Sequence, residues 1–235
     1  MTQTYRHCSN GIIAALMMAM ASPVSAQETG PARCPIGPMG SPIDIEDTDP
    51  VKTHRLDPQY QVMPLAITNG ADGLSLTVAG NQALMVGPKE MRLVGVRFAT
   101  PSEHTILSQR FPMEIQLMHQ QQDGRMAIVS VLVASGVSNP AAEEIWPFLP
   151  IERGQTNSRG DIRINARDLL PSDLSYFRYQ GALTQPPCTT GTAWYVLKTP
   201  IQMSAEQIAA ARAVQGTTAA PLQDRGYRMI LDTAQ

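Results

Sequence analysis

Long hydrophobic runs are missing from this sequence of 235 residues. The apolar run from Gly11 to Ala21 is shorter than the roughly 20 apolar residues that a membrane-spanning helix needs. Clusters of positive charge are missing as well, and the formal net charge is -2, from 18 Lys and Arg against 20 Asp and Glu. We therefore expect no membrane span, and neither nucleic acid nor an anionic membrane as a partner.

Cysteine is also scarce, with three in the whole chain. Arg6 and His7, the apolar run that follows them, and the small residues before Gln27 are typical of a cleavable signal peptide over residues 1–26. We therefore predict a periplasmic or secreted protein with a single domain over 27–235. Cys8 would leave with the signal peptide, so that Cys34 and Cys188 remain. An even number in an exported protein favours a disulfide, with two free buried thiols as the alternative.

Aromatic residues make up only 5% of the chain. Its apolar residues instead occur in short runs that are separated by turn signals. Asn69-Gly70, Asp123-Gly124 and Pro186-Pro187 are such signals. One helix is predicted at 204–214, with Ser204 as its N-cap. The runs predict strands at 62–68, 73–79, 91–99, 112–119, 126–134, 174–180 and 193–198. A mainly β domain with little helix follows, in which 137–172 is expected to be irregular or to form short helical pieces.

The stretch VRFATPSEHTI, residues 96–106, combines a strand with a dense set of polar groups. Arg97 and Ala99 are two apart, so they share one face of the strand. If strands 91–99 and 112–119 pair antiparallel, Gln116 can join them at one spot. Three His at such positions would make a catalytic zinc site with an open fourth corner, but none of the three is His.

Several motifs in order resemble the α-class carbonic anhydrases, especially the exported bacterial members. They are SPIDI at 41–45, PSEHTI, RFPMEIQLMH, DGRMAIVSVLV and YFRYQGALTQPPCTTGTAWYVLKTPIQMSAEQ, and the resemblance runs from about Cys34 to Pro221-Leu222. It implies the α-carbonic anhydrase fold, a large, mostly antiparallel twisted sheet with short peripheral helices. It also implies that Arg97, Ala99 and Gln116 stand where the family has its three zinc-binding His. The bacterial disulfide of the family falls on Cys34 and Cys188.

The same resemblance assigns further residues of the cleft. Thr184 matches the gatekeeper threonine and Glu103 the glutamate that accepts its proton, and the two are expected to share a buried hydrogen bond. His104, Glu114 and Tyr179 match groups that support the metal ligands. The proton-shuttle His has no counterpart after Asn69-Gly70. The carbon dioxide pocket and cleft wall of the family match Met118, Ile128, Leu183, Gln185, Thr192 and Trp194.

The combination resembles the acatalytic carbonic anhydrase-related proteins. We predict no zinc or other cofactor, and an exported binding or structural protein whose partner is an unknown periplasmic or extracellular protein. The alternative is an enzyme: a carbonic anhydrase with an altered metal site, or a weak esterase. His104 and His119 are expected to be structural rather than replacement ligands, and His54 to be exposed. The buried charge of Arg97 requires a carboxylate, from Glu103 or Glu114, or else a small anion that enters the cleft.

Overall fold

The computed structural model describes residues 1–2 and 34–233, so the predicted signal peptide lies outside the described residues except for its first two positions. The α-helices are α1 (Pro140–Ile145) and α2 (Ala205–Gln215), and 3-10 helices span Trp146–Phe148 and Ala166–Leu169. The strands are β1 (Asp44–Ile45), β2 (Asp49–Val51), β3 (Leu56–Gln59), β4 (Met63–Gly70), β5 (Gly73–Leu76), β6 (Ala83–Val86), β7 (Lys89–Ala99), β8 (Thr105–Ile106), β9 (Gln109–Arg110), β10 (Met113–Gln121), β11 (Met126–Ser135), β12 (Thr156–Ile164), β13 (Tyr176–Ala182), β14 (Thr190–Leu197), β15 (Ile201–Met203) and β16 (Leu231–Thr233).

A 13-stranded sheet dominates the fold, with the strand order β12-β4-β5-β7-β10-β11-β14-β13-β16-β2 and with β15, β3 and β6 paired beside this path. Most neighbours are antiparallel, as predicted, but β11 pairs parallel with β14 and β15, and β16 pairs parallel with β2. β1, β8 and β9 form a separate 3-stranded sheet. The predicted mainly β fold is therefore confirmed, with a mixed rather than a purely antiparallel sheet.

The two faces of the central strands bury different sets of residues. On β11, Val129 and Val131 join the larger apolar core, whereas Ile128 and Leu132 join a smaller cluster on the opposite face. This alternation follows from the two-residue period of a strand. On β10 the same period sends Ile115 to the larger core and leaves the even-numbered residues for the face that carries the candidate site.

Local sequence signals account for two of the connections that hold this arrangement. The β10–β11 hairpin turns at Asp123-Gly124, where Gly124 adopts a positive φ of 84° that favours glycine. Helix α2 begins at a capping box formed by Ser204 and Gln207, so the predicted N-cap is confirmed. The short helical pieces expected in 137–172 are present as α1 and the two 3-10 helices, but the segment also contains strand β12, which was not predicted.

No helix among the described residues is long and apolar enough to cross a membrane.

Candidate functional site

The candidate site is built on the paired strands β7 and β10. They run antiparallel, as predicted, with Gln116 opposite Arg97 and Glu114 opposite Ala99. Directly opposed residues share a face, and residues two apart on one strand do so too, so all four lie on the same side of the sheet. The side chain of Arg97 is only 5% exposed, and Ala99 is fully buried.

The Arg97 guanidinium forms an ion pair beneath the surface. Its Nη1 donates to Glu103 Oε1 at 3.0 Å and to Gln116 Oε1 at 3.1 Å. The Glu103 side chain is fully buried, so neither charge of the pair is solvated well. Such a pair is tolerated only when hydrogen bonds satisfy both groups, and removal of one partner would leave the other as an uncompensated charge.

Acceptors from three separate loops complete the contacts of Arg97. Nε donates to the Asp72 carbonyl at 3.2 Å, and Nη2 donates to the Thr218 carbonyl at 3.2 Å. When the Gln185 amide is oriented by its neighbours, its oxygen accepts from Nη2 at 2.9 Å and its nitrogen donates to Asp72 Oδ1 at 2.9 Å. An arginine has five N–H groups, so every donor has a protein acceptor.

The loop after α2 lies over this charge because it is tied to the end of β7. Thr100 N donates to Thr218 Oγ1 at 3.1 Å, and Thr218 N donates back to the Thr100 carbonyl at 2.9 Å. Thr100 Oγ1 also donates to the Gly216 carbonyl at 2.6 Å. These reciprocal bonds carry the Thr218 carbonyl to Arg97 and cover the cleft floor.

Glu103 does not bond to Thr184 as expected. Its Oε1 accepts from Arg97 and from Ala220 N at 3.1 Å, and its Oε2 accepts from Gln116 Nε2 at 2.7 Å. Across the described residues no hydrogen bond joins Glu103 to Thr184, which is nevertheless buried. The expectation of this pair was wrong because the guanidinium, an amide and a backbone N–H hold the carboxylate instead.

Glu114 is the centre of a second buried layer. Its Oε1 accepts from Gln116 Nε2 at 2.9 Å and Ser130 Oγ at 2.8 Å, while its Oε2 accepts from the N–H groups of Glu103 and His104, both at 2.8 Å. Burial by itself would raise the pKa of Glu114, but His104 and these hydrogen bonds outweigh burial and lower the pKa to about 2. Glu114 therefore stays ionised within the fold.

The layer continues through the residues that were predicted to support it. Glu114 Oε1 lies 3.0 Å from His104 Nδ1, and His104 Nε2 lies 2.7 Å from the Tyr179 hydroxyl. Tyr179 in turn donates to Ser41 Oγ at 2.9 Å. Burial raises the pKa of Tyr179 well above its ordinary value, so its hydroxyl remains protonated. The structure thus brings Glu114, His104 and Tyr179 together in one chain of hydrogen bonds.

The residues expected to line a carbon dioxide pocket fall into two polar residues and an apolar group. Gln185 lies at Arg97, and Thr192 is fully buried with its hydroxyl bonded to the Thr189 carbonyl at 3.0 Å. The Met118 methyl group lies where a side chain on Gly95 would be, 2.7 Å from a Cβ built there. The apolar members share the smaller cluster on this face of the sheet: Met118, Ile128, Leu183 and Trp194.

The other candidate ligands are placed as structural groups. His119 is fully buried on β10 and bonds through Nε2 to the Tyr60 hydroxyl at 2.7 Å. Burial lowers the pKa of His119 to about 4. His54 is exposed, as predicted.

Cys34 and Cys188 form a disulfide with their Cα atoms 5.5 Å apart, which confirms the predicted disulfide and excludes two free thiols.

The donor set does not fit a zinc ion. A guanidinium has no lone pair for a metal, alanine has no ligand atom, and the Gln116 oxygen already accepts from Arg97. Within residues 1–2 and 34–233, no three His, Cys, Asp or Glu side chains are grouped so that they could hold a metal ion.

Sequence and structure comparisons agree on the family. The family described as eukaryotic-type carbonic anhydrase matches residues 26–233. The chain therefore belongs to the carbonic anhydrase family.

Its relatives include both enzymes and a differently named protein. It is 29% identical over 206 residues to a carbonic anhydrase of Nostoc sp., and this alignment covers 86% of this chain and 78% of the relative. The α-carbonic anhydrase of Photobacterium profundum has a TM-score of 0.80 at 32% identity, with 83% of this chain and 90% of the other covered. A crystal structure of dioscorin complexed with ascorbate has a TM-score of 0.76 at 27% identity, with 84% and 87% covered.

Sequence reasoning missed the backbone contributions to the site. The Asp72 and Thr218 carbonyls and Ala220 N contact Arg97 or Glu103 from loops far away in the sequence. A backbone atom has no residue-type signature. The Gln215 side chain also ties the end of α2 to this region, since it donates to Thr100 Oγ1 at 3.1 Å and accepts from Leu74 N at 2.7 Å.

Proposed function

We propose that this chain is an exported, zinc-free member of the carbonic anhydrase family that acts as a binding or structural protein and does not hydrate carbon dioxide. The observation that carries the proposal is the Arg97 guanidinium on the cleft floor, whose five N–H groups all have protein acceptors. By resemblance, Arg97, Ala99 and Gln116 occupy the positions of the three zinc ligands. Arg97 replaces a metal cation with a fixed charge that the protein neutralises itself.

The groups around this charge cannot take over the work of a metal hydroxide. Bulk water ionises far above neutral pH, and lowering its pKa to near 7 is the task of a bound metal in this kind of chemistry. Glu103 is neutralised by Arg97, and Glu114 is held ionised by five donated hydrogen bonds, so neither is free to act as a general base.

The alternative of a weak esterase would need a nucleophile in the cleft. Ser102, within the polar stretch, is the candidate, but it is fully buried. Its Oγ donates to the His104 carbonyl at 2.8 Å and accepts from Phe111 N at 3.0 Å. A serine that is used in this way is a structural group, which favours the binding or structural role.

The alternative of a carbonic anhydrase with an altered metal site is tested by metal content and rate together. The mature protein would be loaded with zinc, dialysed against a weak chelator and assayed for zinc per chain and for carbon dioxide hydration by stopped flow. We expect no stoichiometric zinc and a rate equal to that of buffer. One zinc per chain that only a strong chelator removes, with hydration lost on its removal, would overturn the proposal.

A small anion at Arg97 is the remaining functional prediction for this cleft. Because all five N–H groups have acceptors, an anion would have to displace the Gln185 amide or a backbone carbonyl. We therefore propose that the cleft floor is structural rather than anion-binding. Ascorbate, named with the dioscorin relative, is a suitable probe: calorimetric binding that Arg97→Met abolishes would show the opposite.

A further inference from the structure

A cavity lies away from the cleft, beside the start of β13 and the end of β16. It has a volume of about 590 Å³ and lies between the connection from β2 to β3 and the segment that leads into β13. A volume of this size accommodates a small organic ligand. None of the family-derived site residues of the cleft lines it.

The walls of this cavity are fixed by hydrogen bonds that meet at Tyr176. Tyr176 N donates to Thr233 Oγ1 at 2.8 Å, and Thr233 Oγ1 donates back to the Tyr176 carbonyl at 2.9 Å. The Tyr176 hydroxyl donates to the His54 carbonyl at 2.7 Å. One buried tyrosine thus joins β13, β16 and the 52–55 segment, so the cavity is preformed.

Positive charge is concentrated on one wall. Lys52 and Arg55 are exposed lining residues, and neither forms an ion pair or a side-chain hydrogen bond with another described residue. His54 lies between them in the sequence, and its ring packs on Gly87, 2.6 Å from a Cβ built there. Unlike Arg97, these two cations have donors that are free for a ligand.

The cavity lacks an acidic counterpart among the described residues that line it. Asp173 lies between two lining residues in the sequence, and its carboxylate is held at the cavity wall by hydrogen bonds. It accepts from Ser175 N at 2.9 Å, Ser175 Oγ at 2.8 Å and Thr199 Oγ1 at 2.9 Å. The two charged side chains that line the cavity, Lys52 and Arg55, are therefore both cations, which favours an anion as the ligand.

The rest of the lining would suit the uncharged part of a ligand. Leu56, Leu174 and Tyr176 provide an apolar floor, and Ser172 and Thr233 add hydroxyl groups at the margin. A ligand that uses the whole cavity therefore has an anionic head for Lys52 and Arg55 and an apolar body.

We propose that this cavity binds a small organic anion, a carboxylate, sulfonate or phosphate ester with an apolar body, through Lys52 and Arg55. The site is separate from the cleft and does not rest on the function proposed above. Binding at this cavity would therefore not depend on the residues at the three zinc-ligand positions of the cleft.

The test uses anilinonaphthalene sulfonate, an anionic apolar fluorophore, titrated into the mature protein. We expect one saturable site, and a roughly tenfold or greater loss of affinity in the double variant Lys52→Gln/Arg55→Gln, because two charge-assisted contacts are removed. The charge-matched control is Lys89→Gln/Arg92→Gln, which removes two exposed cations of β7 and should change affinity by less than about twofold. Benzenesulfonate should compete with the fluorophore, and benzyl alcohol should not.

A third variant separates cavity binding from surface charge. Ser172→Trp is designed to fill the cavity without a change in charge and should abolish binding while far-ultraviolet circular dichroism and melting temperature stay native. Equal losses in the two double variants, no loss in Lys52→Gln/Arg55→Gln, or unchanged binding in natively folded Ser172→Trp would each overturn the proposal.

Discussion

Arg97 shows how one buried charge can determine the surroundings of a whole cleft. A buried arginine needs a carboxylate, and the sequence offers Glu103 and Glu114 as the two candidates. The structure selects Glu103, since Glu114 is already occupied by His104, Gln116, Ser130 and two backbone N–H groups. The need for a partner could be predicted from residue type, but the choice depends on which carboxylate has a free oxygen after folding.

Replacement of Arg97 by alanine should destabilise the protein by roughly 3–5 kcal/mol, because Glu103 would remain buried without its counterion. Urea unfolding measures the change. The control is Arg159→Ala, which breaks an ion pair whose side chains are 43% and 64% exposed and should change the free energy of unfolding far less. The double variant Arg97→Met/Glu103→Gln should recover part of the loss. A free energy of unfolding for Arg97→Ala equal to the parent's would mean that the ion pair is not formed.

His119 should make stability depend on pH in a defined window. Its pKa is about 4 in the folded protein, whereas a histidine in an unfolded chain titrates near ~6.5. Between these values only the unfolded chain binds the proton, so the free energy of unfolding should fall by roughly 3 kcal/mol as the pH drops from about 6.5 to about 4. The difference in urea stability between the parent and His119→Gln should show this slope. A profile for His119→Gln that runs parallel to the parent's would contradict the assignment.

At the scale of elements, the strands with apolar, buried sequences were the predictable ones. The predicted strand at 112–119 corresponds to β10, and the predicted strand at 126–134 corresponds to β11, both of which are largely buried. β12 was missed because its sequence, TNSRGDIRI, is largely polar. It lies at the edge of the sheet and is mostly exposed, so its pairing with β4 needs no apolar pattern. Hydrophobic periodicity arises where one face of a strand is buried, and an edge strand such as β12 buries few residues.

Helix α2 leads into the loop that covers Arg97, and its start is fixed by a capping box. Ser204 Oγ accepts from Gln207 N at 3.2 Å, and Gln207 Oε1 accepts from Ser204 N at 3.1 Å. Ser204→Ala should therefore lower the free energy of unfolding by about 1 kcal/mol, while Ser204→Asp, which can also cap the helix, should stay within a few tenths. Equal stability of the alanine and aspartate variants in urea would argue against the capping box.

At the scale of the whole molecule, the disulfide closes a loop of 154 residues between Cys34 and Cys188. Restriction of the unfolded chain is the main effect of such a bond, so Cys34→Ser/Cys188→Ser should cost roughly 2–5 kcal/mol. Urea unfolding with and without reductant provides an internal control, since reductant should weaken the parent to the level of the variant and leave the variant unchanged. Two thiols that titrate in the native, non-reduced protein would contradict the bond.

The whole-molecule question is whether this fold still contains the framework of a zinc enzyme. The triple variant Arg97→His/Ala99→His/Gln116→His would place three imidazoles on one face of β7 and β10, where the register brings these positions together. Removal of Arg97 and Gln116 would also free the oxygens of Glu103, so that Thr184 could donate to it as the family resemblance implies. We expect zinc binding, measured by competition with a chelator, and modest carbon dioxide hydration, limited by the absent proton shuttle and by Met118 and Ile128 in the apolar cluster. Each single variant is the matched control and should bind zinc weakly, because one imidazole cannot replace three ligands. A folded triple variant that binds zinc no better than its parent would mean that the three positions do not converge on a metal site, and the assignment of the cleft by resemblance would fail with it.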